Sequence, residues 1–179
     1  MGALVVIALA LALALGPRPA QAAPSEAELK AEFIERFLRF VDWDEAALGT
    51  GDLVVCVVGD DPITPYLDRI ARSRKLKNRK AVVIALPPDK PEKLSACKVV
   101  VIASVDKKRL TGILSHAGRG VLTIADAPGA AQAGTVINFY REDSHIKYEV
   151  NVGAAEDAGL ILRAKLLRLA RLVGEKRPR

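Results

Sequence analysis

The sequence predicts an α/β fold, a single-domain sandwich around a mostly parallel central sheet. Three observations predict it. Leu53 to Val58, Ala81 to Leu86 and Lys98 to Ala103 are valine-rich apolar runs, the signature of strands buried on both faces. Helix-start signals fall between them, as an alternation of strands and helices requires. The C-terminal third then changes to two segments of alternating polarity, which read as an antiparallel hairpin.

At the N-terminus, Ala3 to Leu15 is an unbroken apolar run. It is shorter than the roughly 20 residues that span a bilayer. Gly16-Pro17 breaks any helix, and Ala20-Gln21-Ala22 offers a small-residue cleavage pattern. The segment reads as a secretory signal peptide over residues 1–22, cut after Ala22, although no Lys or Arg precedes the apolar run. A buried helix and an uncleaved anchor are the alternatives. Residues 23–179 then form one domain, and export of a small basic chain with no further apolar run fits a periplasmic location.

Ser25 with Glu28 three residues on is a capping-box pattern. The helix that follows places Leu29, Phe33, Phe37 and Phe40 on one face, joined by Ile34, Leu38 and Val41. Trp43 and the Gly49-Thr50-Gly51 turn end it. After the first buried strand, Gly59-Asp60-Asp61-Pro62 turns the chain into a helix reaching Ser73. The second strand stops at Pro87-Pro88, Asp106 starts a helix to His116 after the third, and Val121 to Ile124 is a short fourth. Thr135 to Tyr140 and Ile146 to Asn151 make the hairpin, joined through Arg141 to His145 by a turn looser than two residues. One face of this hairpin is expected to be half-exposed. A long helix from Ala154 to Val173 closes the fold, with Leu162, Leu166, Leu169 and Val173 on one face, ahead of the basic tail Lys176 to Arg179.

Composition excludes several functions. Half the residues are apolar, which rules out a disordered chain. Aromatics are 4%, too few for a platform that stacks single-stranded bases. The formal charge of +6 loses one unit with Arg18 if the leader is removed. In an exported protein this charge points away from nucleic acid; a solvated basic face is the simpler reading, and attraction to an anionic membrane surface or an acidic partner is the alternative.

The two cysteines, Cys56 and Cys97, are 41 residues apart. In an oxidising compartment they either form a bridge or remain two buried thiols. A bridge needs the first and third strands side by side, which a 2-1-3 strand order supplies. Asp60 and Asp61 follow a strand and precede a helix, where carboxylates hold a cation, act as acid and base, or cap the helix with Pro62 in its first turn. Capping is the simpler reading. Asp126-Ala127-Pro128-Gly129 is a turn, and Asn138 and Asn151 sit in strands, where an amide bonds backbone or faces a pocket. A ligand pocket near Asp60, Asp126 and Asn138 suits the strand ends of an α/β sheet. A hydrolase built on Ser115, His116 and Asp126 lacks a nucleophile elbow. Two histidines and two buried cysteines are a poor ligand set for catalytic zinc. No catalytic residue, metal or cofactor is therefore expected.

Several segments taken together resemble the YfiR/HmsC-type periplasmic family. They are Ala31 to Trp43, Val54 to Pro62, Cys97 to Ser104, Val121 to Gly129 running into Gly134 to Phe139, Tyr148 to Val152, and Ala158 to Leu160 with Lys165 to Ala170. The resemblance covers about residues 29–172 and lies in the order and spacing of these segments. It implies a non-enzymatic regulator that binds the periplasmic sensing domain of an inner-membrane diguanylate cyclase and holds it inactive, restraining cyclic di-GMP and biofilm formation. It also implies a homodimer and a disulfide at Cys56 and Cys97. A second cysteine pair found in some members is absent. Ala130 stands where the family usually has Phe, and Arg163-Ala164 where it usually has two serines. Arg163 is thus a candidate surface residue where specificity departs from the family.

Overall fold

The computed structural model describes residues 23–103 and 105–174. The leader over 1–22 and the tail from Lys176 to Arg179 lie outside them. Helix α1 (Glu26–Phe40) leads into β1 (Val41–Trp43) and the short α2 (Glu45–Leu48). Strand β2 (Leu53–Val58), α3 (Thr64–Ser73), β3 (Ala81–Leu86), a 3-10 turn (Pro91–Ala96), β4 (Val99–Ile102), α4 (Lys107–His116) and β5 (Leu122–Ala125) follow. The chain continues through β6 (Ile137–Glu142), β7 (His145–Asn151), α5 (Val152–Asp157), β8 (Leu160–Leu162), α6 (Ala164–Leu167) and β9 (Arg171–Val173).

Seven strands form the central sheet in the order β3-β2-β4-β5-β6-β7-β9. Pairing is parallel from β3 to β6, antiparallel between β6 and β7, and parallel again to β9. The first three strands therefore have the 2-1-3 arrangement. The apolar runs of β2 and β4 are continuous because both faces are covered, whereas β3, at the edge, leaves Ile84 and Ala85 exposed. Val55, Val57, Val99 and Val101 face α1 and α3 in one core, with Ile34, Phe37, Leu67 and Ile70. Cys56, Val58, Val100 and Ile102 face Leu110 and Ile113 of α4 in a second core. Side chains that alternate along a strand thus both meet apolar partners.

Helix α1 begins where its cap dictates, the Ser25 hydroxyl accepting the Glu28 amide at 3.1 Å. Its buried side chains are Ala31, Ile34, Glu35, Phe37 and Leu38, whereas Leu29 is exposed. The helix stops at Phe40 because Val41 to Trp43 become extended and pair with β8. The Trp43 indole donates to the Gly120 carbonyl at 3.0 Å, which satisfies its buried N–H.

Two expectations are corrected. The hairpin turn is a two-residue one, since Glu142 pairs with His145 and leaves only Asp143 and Ser144 between the strands. Both have positive φ, 47° and 63°, the conformation of a type I′ turn. The long C-terminal helix does not form. The helical stretch ends at Asp157, and Gly159 takes φ +70° beyond it. The chain then becomes β8, which pairs with β1, the one-turn α6, and β9, which extends the sheet. Leu166 is buried, but Leu169 is 77% exposed, so the leucine spacing does not mark one helix face.

Candidate functional site

The carboxyl ends of β2, β4 and β5 meet at a cleft. Strand β2 leads outward to β3, while β4 lies on its other side, so the chain diverges there. Such a divergence is where open α/β sheets hold ligands. Gly59, at φ +97°, turns the chain out of β2, and a Cβ there would stand 2.9 Å from the Cβ of Ala103. The turn delivers Asp60 and Asp61. Asp61 Oδ1 accepts the Ile63 amide at 2.9 Å, and its carbonyl accepts the Thr64 amide at 3.2 Å. Asp61 therefore caps the turn ahead of α3, whose N-cap is Ile63, and Pro65, not Pro62, occupies the first helical turn.

Lys30 of α1 closes the cleft from above. Its side chain is only 11% exposed. The ammonium donates to Glu26 Oε1 at 2.6 Å and to Asp126 Oδ2, and lies 6.0 Å from the Phe139 ring centroid. Burial disfavours the charge on Lys30, but the hydrogen bonds to Asp126 and Glu26 outweigh it and raise its pKa above the ordinary lysine value. The hydrogen bond from Lys30 holds Glu26 below its usual carboxyl value, against the opposing effect of burial. Arg141 approaches the other Glu26 oxygen at 2.6 Å. A cavity of about 290 Å³ lies between these groups, lined by Lys30, Asp60, Asp61, Asp126, Ile124 and Phe139 among others. Asp60 is exposed at its mouth.

Behind Asp126 a polar ladder crosses three strands. Asn138 of β6 is opposite Glu149 of β7, which is opposite Arg171 of β9. The Asn138 amide donates to Glu149 Oε2 at 3.3 Å, and its oxygen accepts the Ala127 amide at 3.2 Å. Arg171 Nε donates to Glu149 Oε1 at 2.9 Å, its other nitrogen reaches the same oxygen, and the guanidinium stacks 4.0 Å above the Tyr140 ring. The expected half-exposed hairpin face is thus buried at its inner end, with Asn138 and Glu149 both enclosed. Asn138 holds the loop after β5 in place, which fixes where Asp126 points.

The other predicted residues lie elsewhere. Asn151 caps α5, accepting the Ala154 amide at 2.9 Å, and its amide donates to the Ala131 carbonyl at 2.7 Å. Arg163 donates to both oxygens of Asp42, at 2.6 and 3.0 Å, and Lys77 adds a third contact at 3.1 Å. The hydrogen bond from Arg163, helped by Lys77, holds the Asp42 carboxyl below its usual value against the opposing effect of burial. Asp42 therefore stabilises the fold above its unfolded pKa near ~3.9, and that contribution disappears as pH falls through the lower folded value. In urea unfolding, the stability difference between the natural protein and Asp42→Asn should be widest near neutrality and should close in acid.

Ala130 is fully buried in the second core, where its small size suits the space. Cys56 and Cys97 form a disulfide with Cα atoms 5.8 Å apart. His116 ends α4 at the amino end of the sheet, its Nδ1 engaged with the Gly112 carbonyl at 2.9 Å. Asp126 follows β5 at the carboxyl end, so Ser115, His116 and Asp126 do not assemble. Among the described residues, no group of three or more His, Cys, Asp or Glu is placed to hold a metal, and no helix is long and apolar enough to cross a membrane.

Sequence reasoning missed Lys30, Glu149 and Arg171. Lys30 stands four residues after Glu26 and reads as half of a surface pair, and nothing local links it to Asp126, 96 residues away.

A family model described as YfiR/HmsC-like matches residues 27–171, which include α1, the cleft and the polar ladder. No curated protein matches the chain. Among solved structures, a conserved domain protein from Vibrio cholerae O1 biovar El Tor strain N16961 superposes with a TM-score of 0.56 at 12% identity. The match covers 84% of this chain but 61% of that one, so it shows a shared fold within a longer protein. By the family match over residues 27–171, the chain belongs to the YfiR/HmsC-like family.

Proposed function

We propose that this protein is a periplasmic, non-enzymatic regulator that binds the periplasmic sensing domain of an inner-membrane diguanylate cyclase and represses it. Family membership carries this reading. The geometry is compatible with it, because Asp126 is engaged by Lys30, Asp42 by Arg163 and Glu149 by Arg171. Affinity capture of the tagged protein from its native membrane should recover a membrane protein with a cyclase output domain. Deletion of its gene should raise cyclic di-GMP and biofilm. No such partner, together with unchanged cyclic di-GMP, sinks the proposal.

A second reading rests on the cavity of about 290 Å³ at Asp60, Asp61 and Asp126. There the protein is a small-ligand sensor acting on a histidine kinase or another membrane receptor, and the ligand tunes the contact. A thermal-shift screen of metabolites in which none stabilises the natural protein more than an Asp60→Asn/Asp126→Asn variant removes that reading and leaves the first intact.

A further inference from the structure

The side of α1 that borders the C-terminal segment is left open. Leu29, Phe33, Arg36 and Phe40 recur at spacings of four, three and four, so they run along one side of the helix. Phe33 and Phe40 are half-buried, and Leu29 is exposed. The two phenylalanines wall a groove of about 320 Å³, with Tyr148 beneath and Leu169 opposite. Leu169 projects from it at 77% exposure. Leu172 is also exposed, and it pairs with Val150, two residues beyond Tyr148, so its side chain stands on the same face of the sheet. Single exposed leucines are ordinary, but several beside an open aromatic groove mark a contact surface.

The rim of the groove is basic. Arg36, Arg39 and Lys165 complete its lining, and no carboxylate belongs to it among the described residues. The Lys165 ammonium lies 5.2 Å from the Phe40 ring centroid. From Arg163 to Arg171 the chain carries four cations and no acid. Asp42 neutralises Arg163 and Glu149 neutralises Arg171. Arg36, Lys165 and Arg168 have no carboxylate partner among the described residues.

We propose that this face docks on a lipid bilayer bearing anionic phospholipid headgroups. Charge complementarity selects the surface: three unpaired cations meet phosphates, and their aliphatic stems lie along the apolar groove while the charged ends reach the headgroups. The shape selects a bilayer over a folded partner. Leu169 and Leu172 project outward, and acyl chains close around a projecting leucine without needing a matching hole. Leucines and aromatics flanked by cations are the pattern of a surface that lies in the membrane interface. This inference needs nothing from the regulatory reading, and its failure leaves that reading untouched.

Vesicle co-sedimentation of the chain from residue 23 onward, which holds every described element, tests it. The protein should bind vesicles of mixed phosphatidylglycerol and phosphatidylcholine, bind phosphatidylcholine alone far more weakly, and lose affinity as salt rises. Arg36→Gln/Arg168→Gln should weaken binding roughly 25-fold, at about fivefold for each cation. Lys107→Gln/Lys108→Gln removes the same charge from α4, on the opposite face of the sheet, and should weaken it less than about threefold. Leu169→Ser should cost roughly tenfold. Leu169→Trp should show blue-shifted emission on the anionic vesicles, against a constant background from buried Trp43. All variants alter exposed side chains and should unfold as cooperatively as the natural protein. Equal losses in the two double variants would mean that net charge alone attracts the chain, and would overturn the proposal. Unshifted Leu169→Trp emission would overturn it as well. Absence of vesicle binding would also overturn it, and would leave the groove to an acidic protein segment or a second copy.

Discussion

Replacing both Cys56 and Cys97 by alanine should cost about 4 kcal/mol of stability, the chain-entropy value for a loop of this length. The bridge closes a 41-residue separation that contains α3, β3 and the 3-10 turn. It ties the middle of β2 to the residue that leads into β4. For a domain of this size the loss corresponds to a fall of roughly 10 °C in Tm, which calorimetry would register. Each cysteine is 1% exposed within the second core, so a reductant reaches the sulfurs only after that core opens. Alkylation of the native protein in the presence of reductant should therefore be slow, and should become fast as urea approaches the unfolding midpoint. Rapid reduction in the folded state would instead favour a redox switch. An unchanged Tm in the double variant would show that the bridge adds nothing beyond the packing around it.

This bridge also shows how far the sequence could be read. Strands β2 and β3 match their apolar runs residue for residue, because an uninterrupted apolar run has no polar positions to blur its ends. The pairing of the cysteines depends on a strand order, and the apolar runs allow that order without dictating it. The C-terminal helix failed for a different reason. Leucines spaced as on a helix face also occur in a chain that visits a short strand, one helical turn and an edge strand. Gly159 and the pairing of β8 with β1 decided between them. The two-residue hairpin turn was hidden because Asp143-Ser144 lacks the glycine that usually marks a type I′ turn. In the cleft, Asp60, Asp61 and Asp126 were legible as polar residues at strand ends. Lys30 was not, because its role exists only once α1 lies across the sheet.

That placement of α1 depends on Phe37, and Phe37→Ala should cost about 3–5 kcal/mol, as removal of a buried aromatic does. Phe37 is 3% exposed. Its ring lies 4.7 Å from that of Tyr148, 5.7 Å from Phe139 and 6.0 Å from Phe33, centroid to centroid. Tyr148 is itself fixed by its hydroxyl, which donates to the Leu166 carbonyl at 2.8 Å. The cluster therefore joins α1, the hairpin and α6 at one point. Phe37→Leu keeps most of the volume and should lose less than half as much, which separates the cavity from any specific ring contact. The consequence reaches the cleft, because Lys30 meets Asp126 only while α1 is seated. Lys30→Met breaks the same ion pairs without unseating the helix. If the helix position governs the cleft, hydrogen exchange in the Asp60–Pro62 and Asp126–Gly129 loops should quicken more in Phe37→Ala than in Lys30→Met. Equal exchange in the two variants would make the ion pair, and not the aromatic cluster, the element that holds the cleft closed.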